Sequence, residues 1–462
     1  MNKPCQNLIP VCNICCHRPV YKAKHKIQEE EIMKVFSAKK AMAALLASMM
    51  LMTGCAGSKT SGKPLKNDPM LKTEINLNQV AFQKYDAKKL NTEYVKYSFK
   101  MMAEIAANAE KNCNIMISPA SIMMALDMVA AGAKGETLKQ MNELFAKDTD
   151  PLEQQAFASE LMKRINAANK VKFVCANAIW SDEDKLAGKI NTDYRDYIKK
   201  TFGADFNATK IGPSTHNEIN KWVDNKTNHM IPQLFDSPFD SNVIMVLVNA
   251  IRFEAQWRNG YTDAQVNKGK FRGTDGDKEA QMLYSSEKGY FATEKATGFI
   301  KYYEGEQYAF IAILPSDEKA DANSFIKSFS FEDYRKFIQS RTSENVNAVM
   351  PEFKSDYGSE LNGILKKLGV TDAFIETKAD LSGIAKSPKG NLYISKVIHK
   401  THIEVDRKGT KAAAATGVSV AVESAVEVRE PKAVVCDRPY VYAIVDASTM
   451  NPIFIGTVNN AG

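Results

Sequence analysis

The stretch Gly409-Thr-Lys-Ala-Ala-Ala-Ala-Thr-Gly-Val-Ser-Val-Ala-Val422 constrains this chain most. It has the composition of an interior β-strand and the setting of an exposed loop. After Lys411 it carries no charge, proline or bulky side chain until Glu423. With the two-residue period of a strand, Thr410, Ala412, Ala414, Thr416, Val418, Val420 and Val422 share one face. Lys411, Ala413, Ala415, Gly417, Ser419, Ala421 and Glu423 share the other. Small residues fit between neighbouring strands, and the later valines favour extended backbone. The Ala412–Ala415 block alone would equally suit a helix; its surroundings decide otherwise. Upstream, the alternating run Leu392–Asp406 predicts a long strand leading directly into Gly409. Downstream, Arg438–Asp446 and Pro452–Val458 predict a strand–turn–strand end. Loop-like flanks around strand-like sequence predict a segment that switches between the two states.

The order strand, Gly409-Thr410, alanine-rich hinge, variable loop, Arg438-Pro439-Tyr440 and closing hairpin resembles the serpins. Further segments in the same order carry the resemblance: Asn114-Ile-Met-Ile-Ser-Pro-Ala-Ser-Ile-Met-Met-Ala-Leu126, Gly132-Ala-Lys-Gly-Glu-Thr137, Asn217–Pro232, Leu247–Trp257, Met350-Pro-Glu-Phe353, Leu368-Gly369 and Ala379–Ile384. Together they run from about Leu90 to the C-terminus. The resemblance implies an α+β fold in which three β-sheets are surrounded by about eight or nine helices, with an exposed reactive-centre loop. It also implies a polar cluster of Ser118, Ser121, Asn249 and His399 beneath the central sheet, and Trp257 at the top of that sheet, where insertion begins.

The implied activity is inhibition of serine-type endopeptidases, and the implied protein is not an enzyme. A protease cleaves the loop as a suicide substrate, and the part before the cut inserts as a new central strand while the protease remains covalently attached. Gly409, Thr410 and Ala412, Ala413, Ala414 and Ala415 form the hinge. The family's usual span from Gly409 places the reactive bond at Glu423-Ser424, which suits a Glu-preferring protease. A slip of one residue to Val422 gives an elastase-like target, and a cut after Arg429 a trypsin-like one. Cysteine proteases are further possible partners. Arg407 and Lys411 stand where inhibitory members usually carry Glu; both lie at the loop root, where a charge can stay solvated, so modest effects on rate are expected. The rival reading is a non-inhibitory serpin acting as a binding or chaperone-like surface lipoprotein, against which Thr410 and the alanine block argue.

With 44% hydrophobic and 25% charged residues, the 462-residue chain has an ordinary globular composition. There is no internal repeat and no linker-like stretch after about residue 90, so one large domain is expected over residues 86–462, as a monomer without cofactor. The net charge is +7, and residues 1–54, with eight Lys/Arg and three Glu, supply +5 of it, leaving +2 for the rest. No basic block remains, which argues against a nucleic-acid partner.

Residues 33–54 read as a lipoprotein signal peptide. A basic leader, Met33–Lys40, precedes the apolar run Ala41–Thr53, which is too short to span a bilayer. Met52-Thr-Gly-Cys55 resembles a bacterial lipobox, implying acylation of Cys55 and anchoring to a bacterial membrane, at the outer membrane or cell surface, outside the cytoplasm. Residues 55–85 are expected to form a flexible tether, being rich in Gly, Ser and Lys near their start. Residues 1–32 match no signal, and Glu29-Glu30-Glu31 demands purine-rich codons just upstream of Met33. Translation is therefore expected to start at Met33.

Catalytic motifs are missing: no Gly-rich phosphate loop, no His-Glu-x-x-His and no Gly-x-Ser-x-Gly elbow. Cys12, Cys15, Cys16 and His17 have no second ligand cluster to complete a zinc site. His399 and His402, three apart on a predicted strand, face opposite sides and do not chelate one metal. Cys113, Cys175 and Cys436 are too scattered for a disulfide framework and are expected to be small buried hydrophobes.

Overall fold

A computed structural model describes residues 74–461, apart from 111, 169, 187–189, 241, 388, 389 and 411–429. Met70–Gly462 forms a single compact unit. The extension 1–32, the signal 33–54, residues 55–73 of the tether expected over 55–85 with Cys55, the hinge residues Ala412–Ala415, the candidate reactive bond Glu423-Ser424, and the side chain of Cys175 lie outside the described residues.

Among the described residues the central sheet has six strands. Their spatial order is β10 (Phe353–Glu360), β11 (Lys396–Val405), β12 (Gly409–Thr410), β4 (Met245–Gln256), β2 (Val171–Asp182) and β3 (Asp205–Thr209). β4 is buried almost end to end, as a strand covered on both faces should be. It lies antiparallel to β2 and parallel to β11, with Lys396 opposite Val246 through His402 opposite Arg252. Above that last pair the two strands part and β12 occupies the space between them.

The second network has nine strands in the order β1 (Met116–Ile117), β15 (Pro452–Val458), β14 (Tyr440–Asp446), β8 (Tyr308–Pro315), β7 (Ala296–Tyr302), β6 (Gly276–Ala292), β9 (Thr342–Pro351) and β13 (Lys432–Val435), with β5 (Val266–Gly273) also paired to β6. The 17-residue β6 explains why three expected sheets form only two hydrogen-bonded networks. Its earlier residues pair with β5 and β9, and its last three with β7, so it belongs to both layers. The expected closing hairpin is β14–β15, with every residue buried. The strand expected from Leu392 begins only at Lys396, because the Ile394 amide bonds to Ala373 and the Ser395 amide to Met245.

Among the described residues, ten α-helical segments surround these sheets, one of them the single turn Glu183–Leu186. The helix Pro119–Ala130 matters most for the site. Ser118 caps it by accepting a hydrogen bond from the Ser121 amide, and Pro119 occupies the first turn, where its missing N–H does no harm. All 12 of its residues are buried, so it is a core helix lying under the central sheet against β4 and β15. At the N-terminal side, Val80 packs with Leu152 and Ala156 in a small satellite core that Ile75 and Tyr85 border.

Candidate functional site

The structure brings Ser118, Ser121, Asn249 and His399 together as a fully buried cluster where β4 and β11 meet. The Ser118 amide donates to His399 Nε2 at 3.2 Å. That bond makes Nε2 the acceptor, so Nδ1 carries the proton and donates to Asn249 Oδ1 at 2.6 Å. Asn249 Nδ2 in turn donates to Ser121 Oγ at 2.5 Å and to the Ser121 carbonyl at 3.1 Å. Burial pulls the His399 imidazole down to about 3, so it is neutral at physiological pH. The cluster ties both strands of the seam to the start of one helix through directional bonds that can be broken and remade.

Asn177 is a further member that sequence reasoning missed. It lies opposite Asn249 on β2, and its Oδ1 accepts from Asn249 Nδ2 at 2.6 Å. A signal was present: Asn177-Ala178-Ile179 repeats Asn249-Ala250-Ile251 in the sequence.

Higher on the sheet, the loop root is closed by its own residues. Asp406 accepts from the amides of Lys408 (2.6 Å) and Gly409 (3.0 Å), and its N–H donates to the Gly409 carbonyl. The chain thereby reverses directly after β11 and runs back between the parting strands. A side chain at Gly409 would overlap the Ala255 carbonyl oxygen and come within 2.7 Å of the Gln256 Cα, so only glycine fits there. Thr410 is fully buried, opposite both Ala255 and Val405, and its hydroxyl meets Tyr303 Oη.

Trp257 directly follows the end of β4, beside the loop root. Its indole N–H donates to the Asp406 carbonyl and its amide to the Lys408 carbonyl, both at 2.9 Å. The Tyr261 amide takes the carbonyl between them, that of Arg407, also at 2.9 Å. The Trp257 ring stacks on Tyr303 with centroids 4.5 Å apart. Tyr261 follows Trp257 by four residues, whereas Tyr303 comes from another part of the chain; neither had a local signal.

Arg407, expected to be merely solvated, has acidic partners. Its guanidinium lies 2.8 Å from Asp263 and 3.5 Å from Glu352, and its amide donates to Glu352 at 3.2 Å. The charge at this position is therefore matched by its surroundings.

His399 and His402 face opposite sides of β11, the first fully buried and the second paired with Asp356 at 2.7 Å. Among the described residues no group of three or more His, Cys, Asp or Glu could hold a metal, and no helix is long and apolar enough to cross a membrane. Cys436 is buried and Cys113 half-buried, both free.

This geometry has a chemical consequence. A sheet with two parallel strands adjacent below, parted above, and one antiparallel residue pair lodged between them has the geometry to which a further antiparallel strand could add. The family model described as Serpin (serine protease inhibitor) matches residues 92–461. Iripin-5 of Ixodes ricinus is 32% identical over 79% of this chain and 93% of its own. Leukocyte elastase inhibitor A of Mus musculus is 32% identical over 75% of this chain and 92% of its own. The crystal structure of tengpin, a thermophilic serpin in the native state, superposes with a TM-score of 0.74 at 36% identity, covering 82% of this chain and 95% of that one.

Proposed function

The chain belongs to the serpin family, whose members are mostly protease inhibitors rather than enzymes, and from that premise we propose that it traps serine-type endopeptidases by inserting its cleaved loop into the central sheet. The observation that carries this reading is the register of β12. Gly409 opposite Gln256 and Thr410 opposite Ala255 set an antiparallel count that, continued downward, lays Ala412 against Phe253, Ala414 against Ile251 and Thr416 against Asn249. The count from Val405 opposite Thr410 brings Thr416 to His399 on the other side. Both counts agree, and the face of small and β-branched residues follows Thr410 inward. Thr416 would then meet the polar cluster with a hydroxyl and not with an apolar group.

Insertion replaces the parallel pairing of β4 with β11 by two antiparallel ladders, which are the stronger arrangement per residue. About 15 residues at roughly 3.3 Å each make a strand near 50 Å long, enough to carry an acyl-linked protease far from the loop. A Glu-preferring enzyme fits the Glu423-Ser424 bond, with Val422 or Arg429 as the alternatives for elastase-like and trypsin-like targets. Acylation of Cys55 would hold the inhibitor at a bacterial membrane, outside the cytoplasm.

The test is to incubate the protein with glutamyl, elastase-like and trypsin-like proteases. An SDS-stable adduct is expected, and the mass of the released C-terminal fragment identifies the bond. Cleavage without any adduct across the panel would favour the binding-protein alternative. Fatty-acid labelling that is lost in Cys55→Ser tests the anchor separately.

A further inference from the structure

Lys301 on β7 is 2% exposed, and its Nζ donates to Glu287 Oε1 on β6 at 2.6 Å. With side chains 3% and 12% exposed, this is the most deeply buried ion pair among the described residues. Such a pair loses more in desolvation than its mutual attraction returns unless other groups compensate, and a methionine would fill the same space without that loss. Here the compensation comes from two rings. The ammonium lies 4.4 Å from the centroid of Tyr261 and 5.5 Å from that of Trp257.

Those two residues hold the loop root. Their N–H groups take the three consecutive carbonyls of Asp406, Arg407 and Lys408, and Trp257 also stacks on the tyrosine that meets Thr410. One buried ammonium therefore lies behind both residues whose N–H groups take the three root carbonyls. It belongs to the nine-stranded network, not to the sheet that must open.

We propose that the Lys301–Glu287 pair is a positioning device that keeps residues 406–408 fixed while the chain beyond Gly409 enters the sheet. This rests on the insertion mechanism proposed above. A root that yielded by one residue would turn the Thr/Val face outward, so insertion would stall while the acyl-enzyme hydrolysed.

The test uses a metalloprotease, which forms no acyl-enzyme, to nick the loop of the full protein. Insertion is then followed by tryptophan fluorescence and by the gain in thermal stability. The charge-free pair Lys301→Met with Glu287→Gln is expected to insert severalfold more slowly, with loop cleavage unchanged and intact-protein melting no lower than wild type. Amide exchange at Trp257 and Tyr261 should rise, and Lys301→Arg should restore the wild-type rate. Glu287→Gln alone, which keeps the ammonium and a hydrogen-bond acceptor, should slow insertion less and serves if the double variant does not fold. Equal insertion rates in wild type and variants overturn the positioning role and leave the proposed function standing. No insertion in the nicked wild type overturns both.

Discussion

The Thr410 hydroxyl lies 2.7 Å from the Tyr303 hydroxyl, and both residues are fully buried, so the residue at the start of the hinge is already lodged in the central sheet. In the proposed mechanism the hinge has only to continue from a residue lodged there. Tyr303→Phe leaves the threonine hydroxyl without that partner and should lower stability to urea by about 1–3 kcal/mol. Thr410→Arg cannot place a charged chain in the same slot. It should convert the protein to a substrate that is cleaved without forming an adduct; undiminished trapping by this variant would falsify the insertion mechanism.

Reversing the charge at the loop root gives a second test. Arg407→Glu would face Glu352 and Asp263 in place of the present attraction. The guanidinium is partly exposed, so screening limits the native pair to about 1 kcal/mol or less, and the reversal should cost a little more. A melting temperature lower by a few degrees is expected, restored when Glu352 is changed to Lys in the same molecule. No recovery in that double variant would show that the pair is incidental.

Two buried groups give opposite pH dependences. His399 falls from 6.5 to about 3 on burial, so below pH 6.5 the unfolded chain binds the extra proton and stability drops by up to about 1.4 kcal/mol per pH unit. Asp127, held by a hydrogen bond from Gln154 but otherwise desolvated, rises from 3.8 to about 8. Between those values the folded protein keeps a proton that the unfolded chain has lost, so stability declines as pH rises, by a similar amount per unit. From about pH 4 to 6.5 the two slopes oppose each other. Urea titrations should show His399→Gln losing stability steadily from pH 4 to 8. Asp127→Asn should instead lose it only on acidification below 6.5. Identical profiles in the two variants would refute the assignment.

Asn177→Leu tests the cluster member found only in three dimensions. It removes the acceptor for Asn249 Nδ2, which keeps its bonds to Ser121, so the loss in the intact protein should be small, about 1 kcal/mol. The larger effect is expected on insertion, when the seam must open and close around Asn249. A higher ratio of cleaved to trapped inhibitor is the measurement.

How much of this was legible in the chain depended on whether the signal was local. The alternation of Lys396–Val405 and the closing hairpin both follow from a two-residue period, which neighbouring residues carry. Arg407 shows the limit. Its position was plain, but its partners Asp263 and Glu352 lie far along the chain, and their charges mean nothing until the root folds against them. The same holds for Tyr303, more than a hundred residues from Thr410.

The sequence by itself determined that a strand-like peptide follows β11 behind a glycine, and that polar side chains lie at Ser118, Ser121, Asn249 and His399. Backbone sterics and side-chain period suffice for that. Only the tertiary structure decided that β4 and β11 part above Arg252 and His402, that Gly409 and Thr410 fill the space, and that Lys301 stands behind the rings holding the root. Those relations are made by hydrogen bonds and close contacts between strands distant in the chain, which no local pattern encodes.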